Sequence, residues 1–123
     1  MNNREIFDHV KAHLLNQGKP SFRSNVNSYE CAYRGDNGLM CAIGCLIKDE
    51  FYNVDFEGKT IYQDDEIIKV VESSIGRKLE KSDINLLWEL QRIHDFKAYV
   101  SCTKDWSKEV ENNLNYIEKE FFG

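Results

Sequence analysis

Cys31, Cys41 and Cys45 fall together in "ECAYRGDNGLMCAIGC", beside glycines, an arginine and several acids. A thiol attacks carbonyl or phosphoryl centres only as the thiolate, which forms where a helix N-terminus or an imidazole lowers its pKa. If a helix begins near Leu39, Cys41 occupies its first turn. His94 and Asp95 can then supply base and orienter from a distant helix, since such partners need not be close in sequence. Cys41, His94 and Asp95 would in that case make a cysteine hydrolase or transferase. The alternative is plainer. Cys41 stands between Met40 and Ala42-Ile43, and a free cysteine in an apolar run packs as a small hydrophobe. Burial is the preferred reading, and no catalytic residue is assigned.

Metal chemistry needs ligands at characteristic intervals. Cys31, Cys41, Cys45 and Cys102, with His9, His13 and His94, supply enough donors. Structural zinc sites, however, bring ligands in close pairs. Only Cys41 and Cys45 resemble a pair, and no second pair accompanies them. His9 and His13 share one helical face and read as the polar flank of an amphipathic helix. No metal and no cofactor is expected.

The stretch "YRGDNG" carries a different chemistry. Gly35 and Gly38 can take positive φ, and Asp36 and Asn37 favour turns by bonding to their own backbone. Such a turn can aim successive N–H groups outward as a nest for an anion. Arg34 offers a planar fork for phosphate or carboxylate. The binding set is therefore Tyr33, Arg34, Gly35, Asp36, Asn37 and Gly38, with Tyr52 and His94 able to wall the site. In the competing reading Arg34 pairs with Asp49 or Glu50 and only pins a hairpin turn.

These residues must be positioned by elements legible in the apolar pattern. Ile6, Phe7, Val10 and Leu14 form a helical stripe over residues 3–17, with Asn2 or Asn3 as cap and Gly18 and Pro20 as stop. Residues 21–28 have turn composition. The spacing predicts a short β-hairpin over about 29–45; a helix from near Leu39, with Cys41 and Cys45 on one face, is the alternative. "KDEFY" at 48–52 reads as one helical turn. Ile67, Ile68, Val71 and Ile75 make a second stripe, ended by Gly76. Ser82 can cap a third helix in which Ile84, Leu86, Leu87, Trp88, Leu90 and Ile93 point nearly all round, marking it as central. Trp106, Val110, Leu114, Ile117 and Phe121 recur at helical spacing after Asp105. The expected class is α+β: four main helices packed around a small hairpin.

The chain has 123 residues, 41% of them hydrophobic, which fits a single compact domain over 1–123. Its start, "MNNREIFDHVKAHLL", alternates apolar and charged residues, so no secretory signal is read. No apolar stretch approaches the roughly 20 residues of a membrane span. A cytoplasmic setting with reduced thiols is expected. Net charge is −5, which opposes broad binding to nucleic-acid phosphates.

"CAYRGDNGLMCAIGCLIKDEFY", then "EGK", then "LLWELQRIHD" resembles an uncharacterised family of small bacteriophage and prophage proteins. Its pattern is Cys-x-Tyr-Arg-Gly, a turn, Cys-Ala-x-Gly-x-Leu-Ile-x-Asp-Glu, and a later Leu-Gln-x-x-His-Asp. The resemblance brings no catalytic residues with it. It implies a phage-type accessory protein made in the cytoplasm of a host bacterium, and counter-defence is the role expected for it in that context. Such a protein is expected to act by binding, either inhibiting a host defence protein or sequestering a small anionic or nucleotide signal. A cysteine-dependent enzyme and a self-associating structural module are the alternatives.

Overall fold

A computed structural model describes residues 1–23, 31–100 and 106–123, with backbone alone for 96–100. The first helix, α1 (Asn3–Gln17), is fixed at both ends by its own sequence. The Asn2 side chain accepts the Glu5 N–H at 2.9 Å, and the Glu5 carboxylate accepts the Asn2 N–H at 3.0 Å. This reciprocal pair satisfies two helix-end donors. Gly18, at φ 71°, ends the helix by donating to the Leu14 carbonyl.

Helix α2 (Asp65–Ile75) is capped by Asp64, whose carboxylate accepts the Glu66 N–H at 2.9 Å. Helix α3 (Lys81–Val100) begins differently from expectation. Ser82 lies inside the first turn. The capping group is Asp83, which reaches back to the Glu80 N–H at 2.7 Å and takes the Arg77 guanidinium at 2.8 and 3.0 Å. Helix α4 (Trp106–Phe122) buries Trp106, Val110, Leu114 and Ile117.

Helices α1, α3 and α4 pack against one another. Leu86, Leu87 and Leu90 of α3 are fully buried among Phe7, Val10, Leu14, Val110 and Leu114. Each such leucine contributes about 2 kcal/mol relative to exposure. Helix α2 adds Ile67 and Val71 to the same core. The turn Gly44–Leu46 touches both α1 and α2, so the cysteine-rich segment is the wedge between them.

The expected hairpin over 29–45 does not form in the part described, 31–45, and 29–30 lie outside the described residues. Among the described residues there is no strand, and the class is all-α rather than α+β. Two isolated antiparallel bridges, Phe22 with Cys31 and Arg34 with Met40, are the pairing found among the described residues. The reason is visible in the hydrogen bonds. Side chains claim the N–H groups of Tyr33, Arg34, Met40 and Ile43, so no ladder can extend. The alternative helix from Leu39 does not form either. Cys45 N–H donates to the Cys41 carbonyl in one α-turn, and the chain then tightens into the 3₁₀ turn Gly44–Leu46. Further 3₁₀ turns follow at Asp49–Phe51, within the helical turn expected at 48–52, and at Val54–Phe56.

Gly44 explains how the wedge fits. A Cβ there would lie 2.3 Å from the Tyr33 carbonyl oxygen, which is backbone and cannot step aside. Gly44→Ala is expected to cost about 2–3 kcal/mol in urea denaturation. Gly18→Ala, which meets nothing within 4 Å but sits at φ 71°, is expected to cost about 1 kcal/mol. Equal losses would contradict the close approach.

Asp83 gives a pH dependence. Its bond to Arg77 holds the carboxyl below its ordinary value of 3.8. A carboxyl depressed in the folded state adds stability above its unfolded pKa and loses it as pH falls through the folded value. The stability difference between the wild type and Asp83→Asn is expected to be about 2 kcal/mol near neutral pH. Below about pH 4 it should shrink, read from urea midpoints along a pH series.

Candidate functional site

Two polar clusters lie on the segment that follows residue 31. The first is centred on Glu57, which sits between the 3₁₀ turn Val54–Phe56 and Gly58. Its carboxylate accepts the N–H of Tyr33 at 2.9 Å, the N–H of Arg34 at 3.1 Å and the hydroxyl of Tyr52 at 2.5 Å. Arg23 adds a charge at 3.4 Å while its Nε donates to the Arg34 carbonyl at 3.0 Å. The Glu57 side chain is only 16% exposed, so these donors replace water. The Tyr52 hydroxyl accepts from Arg23 at 2.8 Å as it donates to Glu57. Burial, and then the bond to Glu57, push its pKa up to about 12.

Arg34 is engaged on every side. Its guanidinium donates to the Ile47 carbonyl at 2.5 Å, pairs with Asp49 at 3.2 Å, contacts the Met40 sulfur and lies over the Tyr52 ring at 5.4 Å. That geometry corresponds to the pinning role, with Asp49 as partner. Tyr33 is buried and its hydroxyl donates to the Lys59 carbonyl at 2.6 Å. Gly35 has φ −94° and is needed for close approach instead of positive φ. A Cβ on it would meet Ser21 Oγ at 2.6 Å and the Phe22 carbonyl at 2.7 Å. Asn37 and Gly38 do take positive φ, 56° and 80°, and both are exposed. The amides of Gly35, Asp36 and Leu39 are spent on Leu39, Phe22 and Asp36 carbonyls respectively.

The second cluster surrounds His94 near the described end of the α3 side chains. The ring is fully buried, with Trp106 edge-on at 5.7 Å between centroids. Nε2 accepts the Ser21 N–H at 2.9 Å. The proton therefore sits on Nδ1, which donates to the Asp95 carboxylate at 2.8 Å. Gln91, one helical turn before Asp95, donates to the same oxygen at 2.7 Å and accepts the Ile43 N–H at 3.0 Å. A sulfur atom joins them: Cys31 Sγ, a His94 ring nitrogen and an Asp95 oxygen all lie within 4.8 Å of one another.

His94 and Asp95 thus meet a thiol, and it is Cys31. The trio considered from sequence used Cys41, which is 1% exposed and accepts the Gly44 N–H at 3.3 Å. Burial, then the charge of Asp95, hold the Cys41 thiol well above its ordinary value. Cys45 donates to the Ala42 carbonyl, and burial pushes its thiol up to about 12. Cys31 is also raised, by burial first and by the neighbouring carboxylate second. His9 and His13 are not an idle polar flank. They bond the Cys45 and Met40 carbonyls at 3.2 and 2.8 Å, so α1 holds the motif by its backbone. Cys102 lies outside the described residues.

Sequence reasoning passed over Glu57, Arg23, Gln91 and Ser21. Gln91 carried a usable signal, its i, i+4 spacing to Asp95. Glu57 carried only its place in "EGK". A direct test of the clamp is Glu57→Gln, which keeps shape but exchanges one acceptor oxygen for a donor facing N–H groups. It is expected to lose roughly 2–4 kcal/mol in urea denaturation, nearly as much as Glu57→Ala. A neutral Glu57→Gln would show that the carboxylate is not what holds Tyr33 and Arg34.

No protein-family model, curated protein or solved structure matches the chain.

Proposed function

We propose that the protein works by binding, as a phage-type accessory protein that occupies a host protein of the defence class in the bacterial cytoplasm. The context comes from the resemblance of the 31–50 and 90–95 motifs. The observation that carries the choice of binding over catalysis is the state of the thiols and of His94. Cys31 faces a carboxylate, Cys41 and Cys45 are packed inward, and both imidazole nitrogens are already bonded. A cysteine nucleophile needs a free basic nitrogen within reach. His94, the imidazole beside Cys31, offers none.

The outward face of the same segment favours a protein over a small anion. Arg34 is committed within the loop, and the exposed acids Asp49, Glu50 and Asp55 repel anions. Between them Phe51 and Val54 stand 36% and 58% exposed, and Asn37 and Gly38 are exposed on the turn at 36–38. Acidic rim and apolar points suit a basic, partly apolar protein surface.

Two measurements test this. Tagged wild type should retain a bacterial protein from lysate that the Phe51→Ser/Val54→Ser variant loses while keeping its circular dichroism melt. Native alkylation of Cys31, Cys41 and Cys45 should be slow near pH 7 and faster at higher pH. A thiol that alkylates as quickly near pH 6 as near pH 8, or tight binding of a signal nucleotide with no retained protein, would overturn the reading.

A further inference from the structure

We propose that Cys31, His94 and Asp95 form a site for a thiophilic divalent cation of the Zn²⁺ class, tying the start of the 31–62 segment to α3. The inference goes beyond the binding function and does not depend on it. The three donor atoms lie within 4.8 Å of one another. Tetrahedral zinc places such ligand atoms roughly 3.3–3.6 Å apart, so closure about the ion needs movements of about 1 Å. A mixed sulfur, nitrogen and oxygen set suits zinc better than the harder alkaline-earth ions.

The surroundings are those a metal site uses. His94 and Asp95 stand on a helix, and Cys31 is anchored by its bridge to Phe22. Gln91 orients the Asp95 carboxylate at 2.7 Å and is itself fixed by the Ile43 N–H. Such outer contacts set the aim of metal ligands. The Asp95 side chain is 44% exposed, which gives the ion an entrance and leaves room for water as fourth ligand. One thiolate and one carboxylate balance the two positive charges. Without an ion the Cys31 thiol is hydrogen-bonded to the Asp95 carboxylate, and the cation would take the place of the proton shared between them.

Proton balance is simple. On loading, the Cys31 proton leaves to solvent, and the His94 proton moves from Nδ1, which takes the cation, to Nε2. The Ser21 N–H that Nε2 accepts at 2.9 Å must then turn to another acceptor.

Chelator-washed, reduced wild type titrated with Co²⁺ should show one equivalent of a sulfur-to-metal charge-transfer band, with the strong visible bands of four-coordinate cobalt. Zn²⁺ should displace it. Cys31→Ser should abolish the charge-transfer band, Asp95→Asn should weaken binding tenfold or more, and Cys45→Ser should leave both unchanged. The wild type alone also decides the matter, whatever the variants do to folding. Saturating Zn²⁺ should protect Cys31 selectively from alkylation, read by peptide mass mapping. Absence of any band, a band that survives Cys31→Ser, or protection that falls on other cysteines would overturn the assignment.

Discussion

Between residues 33 and 43 the backbone belongs to no helix of regular length and no sheet, yet only Asn37 and Gly38 of it are exposed. A buried N–H without a partner costs about 1–3 kcal/mol, so this path exists only because distant side chains meet it. Glu57 takes Tyr33 and Arg34, Gln17 takes Met40 and Gln91 takes Ile43. The carbonyls of Met40 and Cys45 are met in turn by His13 and His9. One irregular segment is thereby fastened to α1, to α3 and to its own later turns. The wedge between α1 and α2 rests on this set of side chain to backbone bonds, since hydrophobic burial alone has no directional means of fixing such a path.

That constraint explains which parts of the fold were legible. The helices announce themselves locally. Asn2 and Glu5 are three residues apart, Gly18 and Gly76 stand where helices must stop, and the stripe from Ile6 to Leu14 repeats with the helical period. The motif has no such local signature. Glu57 is 24 residues from Tyr33, and Gln91 is 48 from Ile43. Turn-forming residues flanked by apolar runs suggested a hairpin because nothing nearby reveals that its donors are already claimed. Gly35 shows the same limit. Its need is for space against Ser21 and Phe22, a fact of tertiary packing, while Asn37 and Gly38 have the positive φ that turn chemistry predicts.

The candidate chemistry was half legible for the same reason. His94 and Asp95 were identifiable as a pair because they adjoin on one helix. Which thiol they meet is set by the pairing of Cys31 with Phe22, one isolated bridge. Arg34 presented two readings from sequence, ligand fork or internal pin. The deciding facts, the Ile47 carbonyl at 2.5 Å and the Asp49 carboxylate at 3.2 Å, belong to a bend that periodicity does not describe.

The clamp also bears on how such a protein would bind. Irregular surface segments ordinarily lose conformational freedom when a partner fixes them, at about 0.5–1.5 kcal/mol for each flexible side chain ordered. Here Asn37 and Gly38 lie between Arg34, whose N–H and carbonyl are taken by Glu57 and Arg23, and Met40, whose N–H is taken by Gln17, while Phe51 and Val54 sit in closed 3₁₀ turns. Much of the ordering is thus completed on folding, and contact energy at the rim is not spent on it. A cation joining Cys31 to α3 would extend the same logic to the start of the segment. The polar residues beneath the surface then have a common role: to give a loop the rigidity that a strand or helix would otherwise provide.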